Sequence, residues 1–412
     1  VTRKDAAVNE SATPLASAPD RDQSSDTTGR SGVRWRWIVG GGVLLAGIGL
    51  GLAWPEQSLP EGVSPEQYAT AEATFEKAFG RSPDRADVMM LMAELAVRDE
   101  KLDVAVNCFR QVPSDHERYG SSARFQQAQI LLRLNRAAEA EEGFREFLRM
   151  AKSDLSISSE HVLMARKWLT FILSVELRFE DRKPFLEYAH TTGQADVYDS
   201  EQFYFPALLI WNSSVGRARL REFLEADPHN PTLLTANARY LIGEGRLEEA
   251  DKLLTNLRQQ QPDRLTCVAA SLQCAYEEAD WDRMADLLNE TPDGQASDPW
   301  LLTEMRGEFA LHQQDWQQAV DHFQRLLEQD PANPVCHMGL ARAYARLGQP
   351  KKRQAMQERS LLLSKIRVDL AGITSETGEV IRSVAASCQQ LGFDEAAATF
   401  ERHATAAAGA TP

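Results

Sequence analysis

The chain has 412 residues, too many for one ordinary compact core, so it either divides into domains or extends as a repeat. It is 43% apolar and 25% charged with a formal net charge of -15, and its first 54 residues hold six Lys/Arg against five Asp/Glu, so the acidity lies beyond them. An acidic surface argues against nucleic acid as the main ligand, and five Cys without a CxxC argue against a redox or haem motif.

Residues 1–34 are rich in Ser, Thr, Ala, Asp and Arg with few large apolar residues, which predicts a disordered tail. Trp35-Arg36-Trp37 then leads into Ile38 to Ala53, which holds no charge and ends at Trp54-Pro55. Residues 35–54 are predicted to form a single transmembrane helix, with the tryptophans at the interfaces. Arg30, Arg34 and Arg36 precede it, and Glu56, Glu61 and Glu66 follow. The positive-inside rule places the tail in the cytoplasm and the bulk of the chain outside, anchored in a cytoplasmic (inner) membrane.

A cleavable signal peptide would carry the same charges, with Gly51 and Ala53 as its small residues, but the long preceding segment and the Trp54-Pro55 junction speak against it. A buried soluble helix is disfavoured by six glycines in that run, each costing about 1 kcal/mol. Gly47 and Gly51 form a GxxxG, through which a homodimer is one expectation. Residues 55–64 read as a linker.

From residue 65 to 403 apolar residues recur at helical spacing between short breaks. Large residues at 75, 109, 144, 185, 220, 254, 288, 323, 357 and 400 are separated by 34 or 35 residues, except for a step of 41 at Phe185 and one of 43 at Phe400. Small residues stand four positions earlier at Ala71, Ala105, Ala140, Gly216, Ala250, Ala319 and Ala396. Pro83, Pro228, Pro262 and Pro331 follow eight positions after the large residue and stop each second helix. The long steps predict loops near Ser153 to Glu160 and Gly372 to Gly378, with an irregular junction about 150–210; residues 404–412 read as a disordered tail.

These residues resemble the tetratricopeptide-repeat (TPR) family, whose helical hairpins carry W-x2-L-G-x2-Y, then A-x3-F, then Pro. Trp300 to Pro331 carries the pattern best, with Gly307, Trp316, Ala319, Phe323 and Pro331 in place. Pro334 to Gln357 keeps Ala341, Tyr344 and Gly348 but has lost the apolar pair at Arg353 and Gln357. The resemblance implies an all-α, right-handed superhelical solenoid of helical hairpins, here preceded by one transmembrane helix. It also implies a groove for other proteins or peptide segments, lined by first-helix positions. Carried over position by position, that groove falls on Arg98, Gln129, Arg133, Arg166, Thr170, Phe205, Arg239, Gln273, Glu308 and Arg342. Five arginines suit acidic segments or a C-terminal carboxylate. The Lys/Asn/Arg clamp for chaperone tails is not matched.

Trp281 and Trp316 are expected to pack in the core. Phe203, Tyr204 and Phe205 before Pro206, with Trp211, Trp168 and Phe171, read either as filling of an irregular junction or as an aromatic peptide-binding patch. No P-loop, G-x-S-x-G or H-E-x-x-H occurs, and neither His312 with His322 nor pairs such as Glu248-Glu249 and Glu277-Glu278 make a catalytic or metal constellation. No enzyme, cofactor or metal is expected. The layout resembles bacterial signal-anchored TPR proteins that assist secretion, envelope assembly or cytochrome maturation, so the expected role is a scaffold or chaperone-like adaptor for translocated proteins or a membrane complex. A helical-repeat RNA binder and a regulatory array for a separate enzyme are the alternatives.

Overall fold

A computed structural model describes residues 59–154, 157–206, 208, 214–291, 298–372 and 378–409, all helices, turns and loops. The expected membrane segment at 35–54, the tail before it, Gly47, Gly51, Trp211 and most of the loop at 372–378 lie outside the described residues. Among the described residues no helix is long and apolar enough to cross a membrane.

Ser64 opens α1 (Pro65–Phe79) with a capping box to Gln67. Antiparallel hairpins then follow in chain order: α2 (Arg85–Arg98) with α3 (Leu102–Arg110), α4 (Gly120–Arg133) with α5 (Ala137–Ser153), and α6 (Ser159–Val175) with α7 (Phe179–Thr191). Two helices, α8 (Val197–Tyr204) and α9 (Ser214–Ala226), interrupt the series. Hairpins resume with α10 (Pro231–Gly243) and α11 (Leu247–Gln260), α12 (Leu265–Glu277) and α13 (Trp281–Asn289), and α14 (Trp300–His312) and α15 (Trp316–Gln329). The last two pair α16 (Pro334–Arg346) with α17 (Pro350–Ala371) and α18 (Gly378–Leu391) with α19 (Asp394–Gly409). Helix α19 carries the array to Gly409, past the tail expected from 404.

Each hairpin turns the same way. The residue at the bend is left-handed at Glu100, Asn135, Leu177, Gly245, Ala279, Gln314, Gly348 and Gly392, and glycine supplies it in only three of these. Asn230 and Asn333 cap α10 and α16 ahead of a proline in the first turn.

The small-and-large pattern packs as the period implies. Ala105, Ala140, Ala250 and Ala319 are fully buried, as are Phe109, Phe144, Leu254 and Phe323. Phe323 lies between two glycines: a Cβ on Gly307 would stand 2.6 Å from its ring, and one on Gly339 closer still. The repeat slips at α7, where the buried residues are Arg182 and Leu186 while Phe185 is half-buried. The expected large position there is therefore off by one, because the stretch from Phe144 to α7 is longer than one repeat period and moves the phase.

First helices α10, α12, α14 and α16 contact one another in sequence, so they form the inner row of the curved stack. Helix α8 leaves this row. It packs on α7 and on α19, while α9 packs on α6 and α10. Phe205 and Leu208 thereby join a core with Leu363, Ile366, Val384 and Phe400. The array thus closes on itself across about half the chain, with Ser200 Oγ 2.9 Å from His403 Nε2 and Tyr204 Oη 3.3 Å from Thr399 Oγ1.

Candidate functional site

The inner row is occupied at one end and open at the other. At the C-terminal ends of α12, α14 and α16 a groove of about 750 Å³ is lined by Tyr276, Trp281, His312, Trp316, Arg342 and Arg346 among others. A polar ladder crosses its floor. Tyr276 Oη donates to Glu308 at 3.3 Å, and the Arg342 guanidinium reaches the same carboxylate from the next first helix. His312 stacks on Trp281 with ring centroids 3.9 Å apart, and Arg346 lies 5.9 Å over the Trp316 ring. Both tryptophans are half-buried, so each packs in its hairpin with one side and lines the groove with the other, rather than being core residues alone.

Beside the groove the first turn of α17 carries Lys351, Lys352 and Arg353, all exposed, and with Arg342 and Arg346 the stretch 342–353 holds five basic residues and no acidic one. Arg346, Lys351, Lys352 and Arg353 form no ion pair among the described residues. Arg353 and Gln357 occupy the small-and-large slots of this hairpin and face solvent, so the first half of α17 is uncovered.

At the N-terminal ends of the same row lies a cavity of about 1090 Å³, lined from the other side by the α6–α7 turn. Arg239 donates to the Leu177 carbonyl at 2.9 Å and lies 5.8 Å over the Phe179 ring. Arg178, which also lines the cavity, is held by Glu141 and Glu176, each at 2.8 Å. Glu180 and Glu304 add further carboxylates, so this mixed lining does not suit a phosphate backbone.

Of the ten positions carried over from the repeat phase, Glu308 and Arg342 meet in the groove and Arg239 lines the cavity. Arg98, paired with Asp99 at 3.2 Å, and Arg133 are exposed at the ends of α2 and α4. Gln129 is half-buried beside Met164, and Arg166 lies 4.0 Å over the Tyr188 ring. Thr170 and Gln273 are buried within their helices, and neither presents an open groove surface. Phe205 is the clear correction. It is fully buried and stacks on Phe400 at 5.9 Å, because α8 has left the row in which its number would place it. The aromatic segment divides likewise: Phe203 and Tyr204 pack on His190, whereas Trp168 and Phe171 make a separate edge contact at 6.2 Å.

Counting missed Arg182, whose side chain is among the largest fully buried ones. Its guanidinium donates to Ser174 Oγ at 2.9 Å, Gln202 Oε1 at 2.8 Å and the Pro206 carbonyl at 3.1 Å. Burial lowers its pKa to about 10. The sequence signal was a cation four residues before Leu186, in the slot that holds a small residue elsewhere. The described residues hold no cluster of three or more His, Cys, Asp or Glu able to bind a metal; His312 is on Trp281 and His322 is buried in α15. All five cysteines are free and buried.

Tetratricopeptide-repeat models match residues 90–154 and 310–356. The chain is 29% identical over 98 residues to cellulose synthase operon protein C of Pseudomonas fluorescens (strain SBW25), a match spanning 24% of this chain and 8% of that protein's length. Among solved structures it is similar to a tetratricopeptide repeat protein from Parabacteroides merdae ATCC 43184, at 10% identity and a TM-score of 0.31 over 63% of this chain and 98% of the other. A human IFIT1 dimer with PPP-AAAA matches at 14% identity and a TM-score of 0.34, over 84% of this chain and 96% of the other. The chain therefore carries tetratricopeptide repeats in an all-α helical solenoid, the architecture of protein-interaction scaffolds.

Proposed function

We propose that this chain is a membrane-anchored scaffold or chaperone-like adaptor that takes an acidic, partly aromatic or apolar segment of a partner protein in the groove between Trp281, Trp316 and Arg346. The observation that carries the reading is the union of two half-buried tryptophans with the unpaired cations of residues 346–353, in a chain whose net charge is -15. Tryptophan faces supply apolar contact at low entropic cost, and exposed Arg and Lys steer carboxylates toward them. Arg342 is already engaged by Glu308, so it fixes the groove floor while Arg346, Lys351 and Arg353 meet the partner.

The anchor rests on the uncharged run from Ile38 to Ala53 and its arginine-rich flank, which would hold the array on the outer face of a cytoplasmic membrane. The reading gives the chain no chemistry of its own. Selection of a random peptide library on the full chain in detergent tests the groove. Enrichment of Asp/Glu beside an aromatic or apolar residue, lost in Trp316→Ala and Arg346→Glu, is the expected result. Enrichment of basic peptides, or enrichment untouched by both variants, counts against it.

A further inference from the structure

The N-terminal ends of the inner row meet this chain's own α6–α7 turn rather than an external ligand. Leu177 takes the left-handed conformation there at φ 57, unfavourable for a branched side chain, and its carbonyl is bound by Arg239. Lys183 Nζ donates to the Gln329 carbonyl at 3.1 Å, and Trp300 packs against the N-terminal core as well as that of α15 and α16. The contact of α8 with α19 completes the closure. These contacts join residues 62 to 203 positions apart, so together they can open while each hairpin stays folded.

The seam brings together three carboxyl groups, one from each of three elements, with Asp330 fully buried and Glu180 and Glu304 half-buried on the cavity wall. Glu180 of α7 faces Arg239, Asp181 and the backbone N–H of Trp300. Glu304 of α14 faces Glu308, Arg239, Asn333 and Asp330. Asp330, just past α15, faces Lys183, Arg182, Asn333 and the backbone of Ala332. Opening would expose Asp330 to water and hydrate Glu180 and Glu304 more fully.

We propose that this seam is a proton-controlled gate on the inner row, in which the α6–α7 turn acts as an internal ligand and the protonation of Glu180, Glu304 and Asp330 holds it in place. The gate rests on the reading of the inner row as the binding surface, yet it is a property of the chain alone.

The direction follows from the environment of each group. Burial raises the pKa of Glu180, and pushes Glu304 and Asp330 up to about 7. The closed form therefore holds these protons more tightly than the open form. The preference for closure is therefore full below the ordinary carboxyl range, declines as pH rises from there, and is lost as pH passes through 7. Glu304 and Asp330 each change the opening constant by up to about tenfold per pH unit inside that window, and Glu180 acts in the same direction. His190 and His403 flank the α8–α19 contact. Burial lowers both pKa values, with Arg402 beside each and Asp199 opposing, so their titration acts opposite in direction to the three carboxyl groups and does not produce opening at rising pH.

The test uses the full chain in detergent with dipolar distance labels at Glu187→Cys on α7 and Thr405→Cys on α19, both exposed and outside the seam. Native thiols stay silent because all five are buried, and burial pushes Cys108, Cys267 and Cys274 up to about 11. One short distance at pH 6 and a longer population that grows at least tenfold by pH 8.5 are expected. The Glu180→Gln, Glu304→Gln, Asp330→Asn variant should keep the short distance at both pH values, with helicity by circular dichroism reporting its fold. The same distances at both pH values in the parent chain overturn the gate whatever the variant does. A folded triple variant that still opens by pH 8.5 overturns it too. Neither readout involves a partner, so failure here leaves the groove proposal standing, and failure of peptide selection leaves the gate standing.

Discussion

Arg182 donates to the carbonyl oxygen of Pro206 at 3.1 Å, so a buried cation ties helix α7 to the turn that ends α8. Phe205 and Leu208, on either side of that turn, are the residues that pack with Phe400 in the shared core. Truncation to Ala would strand Gln202 and the Pro206 carbonyl and leave a cavity, at a cost of about 3 kcal/mol. Urea denaturation of Arg182→Ala should show this loss, and the more conservative Arg182→Lys should recover only part of it, because Lys cannot span Ser174, Gln202 and Pro206 at once.

Phe323 fills space that two glycines leave open. Gly307→Ala or Gly339→Ala should each destabilise the chain by about 2 kcal/mol through overpacking. Combining Gly339→Ala with Phe323→Leu should cost less than the sum of the two changes, because the smaller side chain makes room for the new Cβ. Thermal melts of the single and double variants measure the coupling.

The hairpin bends offer changes in the opposite direction. Ala279 and Gln314 hold left-handed backbone at φ 56 and φ 61, where Gly245 and Gly348 stand in neighbouring hairpins. Ala279→Gly and Gln314→Gly should each stabilise by about 0.5 kcal/mol, with the relief of strain exceeding the added freedom of the unfolded chain. A lower melting temperature for both would contradict the conformational argument.

Asp330 should make stability depend on pH. Burial raises its pKa to about 7 in the folded chain, so its contribution is full below the ordinary Asp range and is lost as pH rises through 7. Asp330→Asn should therefore melt higher than the parent chain at pH 8, with the difference shrinking or reversing at pH 5.

How far these features could be read from the residues depends on the range of the contacts. The small-and-large pairs at Ala105/Phe109, Ala250/Leu254 and Ala319/Phe323 announce their packing because each pair sits on one helix and recurs at a fixed period. Glu308 and Arg342, taken from matching positions of adjacent units, meet because they lie where that period is regular. Beyond Phe144 the count slips: it passes over Arg182, which fills a core slot, and it puts Phe205 in the groove although α8 has turned away. The α8–α19 closure leaves no periodic trace, since Phe205 and Phe400 meet from opposite ends of the array. For Trp281 and Trp316 the spacing points mainly to the core, because it tells which side of a helix is inward, not that one face of a large ring stays uncovered.

The groove between Trp281, Trp316 and Arg346 is the centre of the functional account. Photo-crosslinking in intact cells from probes at Glu277 and Ala345, which are exposed in the groove lining, with Gln318 on the second helix α15 as the outward control, tests it most directly. The account expects a discrete adduct from the groove positions whose crosslinked peptide is rich in Asp or Glu, absent from position 318 and lost in Trp316→Ala. Equal adducts from groove and control, or a groove adduct carried by a basic segment, would contradict it.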